Sequence, residues 1–187
     1  EKYFPTGEEN IGVLLGEPSG GLIDIDLDCA EAIELAPAIL PPTRTFGRQS
    51  KPQSHYLYKV NSPPATQRFS VDGRTLLELR STGAQTIFPG SKHPKGEAIQ
   101  FDDDTELVTE MTPQELVLRT RVLAVMTLMA RHWVSFKGTR QDIAMALSDV
   151  LLKTQLAPAI ARKVLAQMLT IAEDEERQDR LQAFDST

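Results

Sequence analysis

At 187 residues, with 41% hydrophobic and 25% charged side chains, the chain has an ordinary globular composition and the length of one sizeable domain, or of one domain with a small helical appendage. No apolar run approaches the roughly 20 residues of a membrane span and no signal-peptide pattern opens the chain, so no membrane partner is expected. A net charge of −6 argues at first against nucleic acid, and the single cysteine, Cys29, excludes an internal disulfide framework and suits a reducing cytoplasm, the expected location.

In chain order, short strands are expected over residues 11–15, 22–27, 55–60, 76–79, 85–88 and 99–101. Pro41-Pro42, Ser62-Pro63-Pro64, Asp72-Gly73 and Pro89-Gly90 punctuate them, and the stretch AEAIELAPAIL carries a short helical pattern. Asp102-Asp103-Asp104 reads as a solvated turn or linker. Thr112-Pro113-Gln114-Glu115 then reads as an N-cap, a proline at the first helical position and an acid in the first turn. Leu116, Leu123, Met126 and Met129 keep helical spacing as far as Trp133. Further helices are expected over 141–153 and 159–173, with the charged tail DEERQDRLQAF extending the last or forming a fourth. The division is a mixed α/β part over 1–108 and an all-helical part over 112–187.

Charge is unevenly spread. Residues 1–40 hold nine acids and one base (−8), residues 41–100 nine bases and three acids (+6), and residues 101–187 ten bases and fourteen acids (−4). A basic middle behind an acidic strand fits a site that holds polyanionic phosphate beside metal-binding carboxylates, although a solvated surface can carry the same imbalance.

Four stretches could carry chemistry. In GGLIDIDLD, Asp24, Asp26 and Asp28 share one face of a strand, where like charges repel unless something positive meets them. Alternate carboxylates can hold one or two Mg²⁺ or Mn²⁺ ions, yet an isolated D-x-D also occurs at exposed strand ends. Ser54-His55 enters the apolar run Tyr56-Leu57-Tyr58, and a hydroxyl beside an imidazole can reach a phosphate, whereas a lone histidine is more often structural. Glu78 shares its face with Leu76 and Arg80, so it reads either as a further metal ligand or as half of a buried Glu–Arg pair. The loop FPGSKHPKG offers Ser91, Lys92, His93 and Lys95, donors that suit a triphosphate or a nucleic-acid backbone but also a plain surface hairpin. There is no G-x-x-x-x-G-K-[ST], no Cys/His cluster for zinc and no H-E-x-x-H.

Taken together, NIGVLLGEPSGGLIDIDLD, PPTRTFGRQSKPQSHYLYK and LELRSTGAQTIFPGSKHPKGE, over roughly residues 9–101, resemble the archaeo-eukaryotic primase superfamily. The closer likeness is to the bifunctional primase-polymerase domains of phages, plasmids and prophages. The resemblance implies an α+β fold, an RRM-like antiparallel or mixed sheet with flanking helices, followed by a small all-α domain. It implies Asp26, Asp28 and Glu78 as ligands of two Mg²⁺ or Mn²⁺ ions. Asp24, which stands where relatives carry an aliphatic residue, is the alternative register. Ser54 and His55 are implied contacts of the incoming nucleotide's phosphates, and Arg80, Ser91 and His93 contacts of nucleotide or template. The implied activity is that of a DNA primase-polymerase acting on single-stranded template with dNTP or NTP. Helical segments such as ARHW, GTR and DEER are loosely similar to those that link such domains to a replicative helicase. Relatives begin with a substantial αβ segment before N-I-G, where this chain has only nine residues before Asn10, so part of that segment is expected to be missing. Two other classes stay open. One is a metal-dependent nuclease using the same carboxylates, and the other a non-catalytic module that binds DNA or recruits a helicase.

Overall fold

The computed structural model describes residues 9–102 and 107–186. The Asp103-Asp104 part of the expected linker lies outside the described residues. Strands β1 (Gly12–Leu14), β2 (Leu22–Leu27), β3 (Thr45–Arg48), β4 (Lys51–Lys59), β5 (Gln67–Val71), β6 (Arg74–Arg80), β7 (Gln85–Ile87), β8 (Gln100–Phe101) and β9 (Thr109–Glu110) are joined by helix α1 (Ala30–Ile39) and followed by α2 (Pro113–His132), α3 (Arg140–Lys153), α4 (Pro158–Ile171) and α5 (Arg177–Asp185). The fold is α+β, as the resemblance implied.

Contacts divide the chain into two compact units. The first takes the chain up to Cys29 and then Pro41–Thr120; the second takes Ala30–Leu40 and the chain from Arg121 onward.

In the first unit, six strands lie in the order β5-β6-β2-β4-β3-β8, all neighbours antiparallel, with β9 added in parallel to β4. A separate ribbon pairs β1 with β7. Strand β2 owes its central place to its alternation. Ile23, Ile25 and Leu27 are fully buried on one side, level with Tyr58, Tyr56 and Leu79 and with Leu77 of the flanking strands. The aspartates occupy the opposite side. Gly21 sets up the entry to β2. Its φ is +92°, and a Cβ there would lie 1.9 Å from the Val60 carbonyl oxygen, so only glycine fits.

The second unit is helical. Helix α1 packs on α4, and α3, α4 and α5 pack on one another. Glu31 of α1 takes a bidentate pair of hydrogen bonds from Arg131 of α2, both at 2.9 Å. Around the buried Trp133, the indole N–H donates to Asp174 at 2.6 Å and Arg180 Nε donates to the same carboxylate at 2.9 Å. Arg140 Nε donates to the Trp133 carbonyl at 3.2 Å. The neighbouring segments ARHW and GTR thus meet DEER, 41 residues on from Trp133 at Asp174, in one polar knot.

Candidate active site

The cross-strand register assembles the site in one line. Arg68 of β5 stands opposite Glu78 of β6, Glu78 opposite Asp26 of β2, Asp26 opposite His55 of β4, His55 opposite Phe46 of β3, and Phe46 opposite Phe101 of β8. Directly opposite residues of antiparallel strands share a face, so acids, bases and aromatics form one row across six strands.

Each aspartate of β2 and its end meets a different cation. Asp24 accepts from His55 Nδ1 at 3.0 Å, Asp26 from Arg80 Nη2 at 2.5 Å, and Asp28 lies 3.7 Å from Lys51 Nζ. Glu78 takes Arg80 Nε at 2.7 Å and also Arg68 Nε, making the buried Glu–Arg pair that its neighbours allowed. The charges answer to this arrangement. Burial pushes the Asp26 carboxyl well above the ordinary carboxylate range, and Asp24 and Asp28 push the same way against the pull of His55 and Arg80. Burial alone would lower the His55 imidazole, but Asp24 and then Asp26 outweigh it and hold it above its usual value. For Glu78 burial also acts upward, and Arg80 and Arg68 reverse it, leaving the carboxyl below its usual value.

A cavity of about 520 Å³ opens at the middle of this row, over Asp26 and His55. Of the residues singled out in the sequence, Asp26, Asp28, Ser54, His55, Arg80 and His93 line it together; Asp24, Glu78 and Ser91 do not. Asp24 is 0% exposed, beneath His55. The buried Ser91 hydroxyl accepts the Ile11 backbone N–H at 2.8 Å, which ties the loop to β1.

The cavity also has walls that the motifs did not name. Arg48 and Lys51 come from the β3–β4 hairpin and Thr86 from β7 itself, and Lys92 of the already noted FPGSKHPKG loop joins them. Gly47 lets the hairpin close, since a Cβ there would lie 2.5 Å from the Lys51 carbonyl oxygen. Glu97 then joins hairpin to loop, accepting from the Ser50 N–H and hydroxyl at 2.8 Å each. Asn10 brackets Lys92 from both sides, accepting its N–H at 2.8 Å and donating to its carbonyl at 2.9 Å. Two buried polar atoms of the wall residues, Thr86 Oγ1 and Arg48 Nη1, find no hydrogen-bond partner among the described residues. Arg48 and Lys51 were legible only as part of the basic middle, and Lys92 as a donor of the FPGSKHPKG loop; nothing in the sequence marked Thr86.

A divalent cation fits part of this donor set. Among the described residues no group of three or more acidic, histidine or cysteine side chains is arranged to hold a metal. Asp26 and Asp28, however, share the cavity as hard oxygen donors, and a bound cation would offset both the burial that raises the Asp26 carboxyl and the repulsion from Asp24 and Asp28 that adds to it. That suits Mg²⁺, which keeps several waters and takes one or two carboxylates together with substrate phosphates. With six cationic or histidine side chains around two carboxylates, the cavity can neutralise a polyphosphate and place it beside such an ion.

No curated protein and no solved structure matches the chain. Residues 5–116 match the family model of the bifunctional DNA primase/polymerase N-terminal domain, which is more than half of the chain, so this protein belongs to that family and has a primase/polymerase type of function, with DNA and nucleotides as substrates.

Proposed function

We propose that the chain catalyses template-directed transfer of nucleotides from dNTP or NTP on single-stranded DNA, within replication of a phage, plasmid or prophage. The observation that carries this reading is the cavity itself, where Asp26 and Asp28 face a ring of Arg48, Lys51, His55, Arg80, Lys92 and His93. Enzymes of this family use divalent metals. Bound on Asp26 and Asp28, with Glu78 as the further candidate ligand, Mg²⁺ or Mn²⁺ would supply charge neutralisation at the attacking hydroxyl and at the leaving pyrophosphate.

The chain's own residues do the rest. Arg48, Lys51 and Lys92 attract and hold the triphosphate. His55, and Ser54 beside it, donate to phosphate oxygens, and Arg80, which lines the cavity and pairs with Asp26, offsets the acids until substrate arrives. The catalytic part is proposed to be residues 1–108. The helical part over 112–187 is proposed to assist initiation or to connect to a replicative helicase.

Asp26→Ala combined with Asp28→Ala should abolish dNTP incorporation on a primed single-stranded template. The fold should survive, because Arg80 keeps its pair with Glu78 and Lys51 is partly exposed to solvent. Full incorporation by the folded double variant would end this reading. A nuclease would use the same acids with water as nucleophile. The number of phosphate-binding cations favours a triphosphate, and comparing pyrophosphate release with shortening of a labelled strand separates the two.

A further inference from the structure

Asp24 is the acid that the proposed chemistry leaves without a part. Its carboxylate is 0% exposed and does not line the cavity. Both of its oxygens lie on a single atom, His55 Nδ1, at 3.0 and 3.2 Å. A carboxylate accepts and cannot donate, so this contact requires the hydrogen on Nδ1. The ring is fixed from a second direction. Phe46, fully buried on the neighbouring strand, stacks on the imidazole with centroids 4.3 Å apart and planes 1° apart. Nε2 is what remains. It lies 3.7 Å from Asp26 Oδ1, beyond hydrogen-bonding distance, in a side chain that lines the cavity.

We propose that Asp24 is a positioning residue. It clamps His55 through Nδ1, with Phe46 as the backing plate, so that in the imidazolium, the form that donates to phosphate, the Nε2–H is presented to a phosphate oxygen of the bound nucleotide. Asp24 acts through His55, and the inference rests on the reading of His55 as a nucleotide contact. The strand register explains why an acid stands where an aliphatic residue would otherwise serve β2. Asp24 pairs with Leu57 on β4, and His55 is the next residue of β4 on the same face, a diagonal neighbour within side-chain reach. Two residues on along β2, Asp26 is directly opposite His55, so one imidazole is flanked by a buried carboxylate that holds it and a cavity carboxylate that it helps to neutralise.

The test uses the full chain, with Asp24→Ala, Asp24→Asn, His55→Ala and the double variant Asp24→Ala/His55→Ala. Three readouts are taken: dATP affinity by calorimetry, Mn²⁺ affinity without nucleotide, and the ¹⁵N signals of the His55 ring at a pH where the imidazole is neutral. Asp24→Ala is expected to weaken dATP binding roughly tenfold or more, as loss of a residue that orients a site histidine does elsewhere. Asp24→Asn, whose amide oxygen can still accept from Nδ1–H, should recover part of that loss. The double variant should be no weaker than His55→Ala alone, because both changes remove one device. Mn²⁺ affinity should be unchanged in the Asp24 variants. In the ring spectrum the hydrogen should sit on Nδ1 in the wild type and be shared between the two nitrogens in Asp24→Asn, whose amide both donates and accepts. Additive losses in the double variant, weakened Mn²⁺ binding, or an unaltered His55 ring spectrum would each overturn the proposal. If His55→Ala binds dATP normally, the reading of His55 as a nucleotide contact fails, while the ring spectrum still decides whether Asp24 sets the imidazole. Should Asp24→Ala fail to fold, the nearly isosteric Asp24→Asn carries the spectral and metal arms.

Discussion

At the scale of single residues, the row Asp24, Asp26, Asp28 is stable because each carboxylate meets its own cation, from His55, Arg80 and Lys51. Alternation along a strand is enough to put three acids on one face, but not to say which cation each will find. The sequence left Glu78 as either ligand or ion-pair partner. In the structure its oxygens are taken by Arg68 and Arg80, so any role at a metal requires at least one arginine to move onto substrate phosphate. Thr86 shows the opposite case, a residue with no sequence signal and a clear physical one. Its hydroxyl is buried, 1% of the residue being exposed, and it is hydrogen-bonded to nothing among the described residues. Thr86→Val keeps the shape and removes an unsatisfied group, so thermal stability should be unchanged or slightly raised, while dNTP affinity should fall roughly fivefold if that hydroxyl meets the nucleotide. Unchanged affinity in a calorimetric titration would remove Thr86 from the site.

At the scale of elements, the parts that could be read were those whose pattern is local. Thr112 and Pro113 announced α2, and the Thr112 hydroxyl indeed accepts the Glu115 N–H at 3.2 Å, one turn before Arg119 pairs with Glu115. Strand β2 was legible from its alternation. Strands β3, β5 and β9 were not. TFGR gives no alternation, QRFSV alternates only from Arg68 to Val71 and is nowhere fully buried, and the two residues of β9 exist as a strand only because β4 lies beside them. For β5 a signal was present. Asp72-Gly73, both at positive φ (48° and 73°), is a two-residue hairpin turn, and it pairs Val71 with Arg74. The turns leading into the site strands are equally specific. Gly21→Ala combines a left-handed backbone with a clash against the Val60 carbonyl, so it should destabilise the first unit by at least about 2 kcal/mol. Gly20→Ala, also at positive φ but with open space around it, should cost only about 1 kcal/mol. Urea unfolding of the two variants checks the difference, and equal losses would show that the Val60 contact yields easily.

At the scale of the whole molecule, the net charge of −6 is a sum of unlike parts, and the site draws on the basic one. Binding of single-stranded DNA should therefore weaken steeply with salt, with a slope of about 0.7 per phosphate contacted, and Lys92→Ala should lower that slope by about 0.7. A slope unaffected by the substitution would place Lys92 away from the backbone. In the helical unit the corresponding lever is acidity. Burial acts to raise the Asp174 carboxyl, but the Trp133 indole and Arg180 outweigh it and hold the group below the ordinary carboxylate range. A carboxyl lowered in the folded state stabilises above its ordinary value, about 3.9, and that contribution is lost as the pH falls through the lowered one. The helical unit should thus melt progressively earlier below about pH 4. Asp174→Asn should cost about 1–3 kcal/mol at neutral pH and flatten the acid limb of a Tm-against-pH curve.

The sequence by itself determined the helices of the second unit, the acidic central strand, the basic middle and the likeness to primase-polymerases, because each is written in residues close together along the chain. Only the tertiary structure decided that α1 belongs with the C-terminal helices, that Arg48, Lys51, Thr86 and Lys92 share a wall with the acids, and that Asp24 lies beneath His55 rather than in the cavity. Strand period fixes the face on which a side chain stands. Its neighbour on that face is set by cross-strand register, which joins residues as near as Phe46 and His55 and as far apart as Gly12 and Ile87, and is chosen by the packing of the whole sheet.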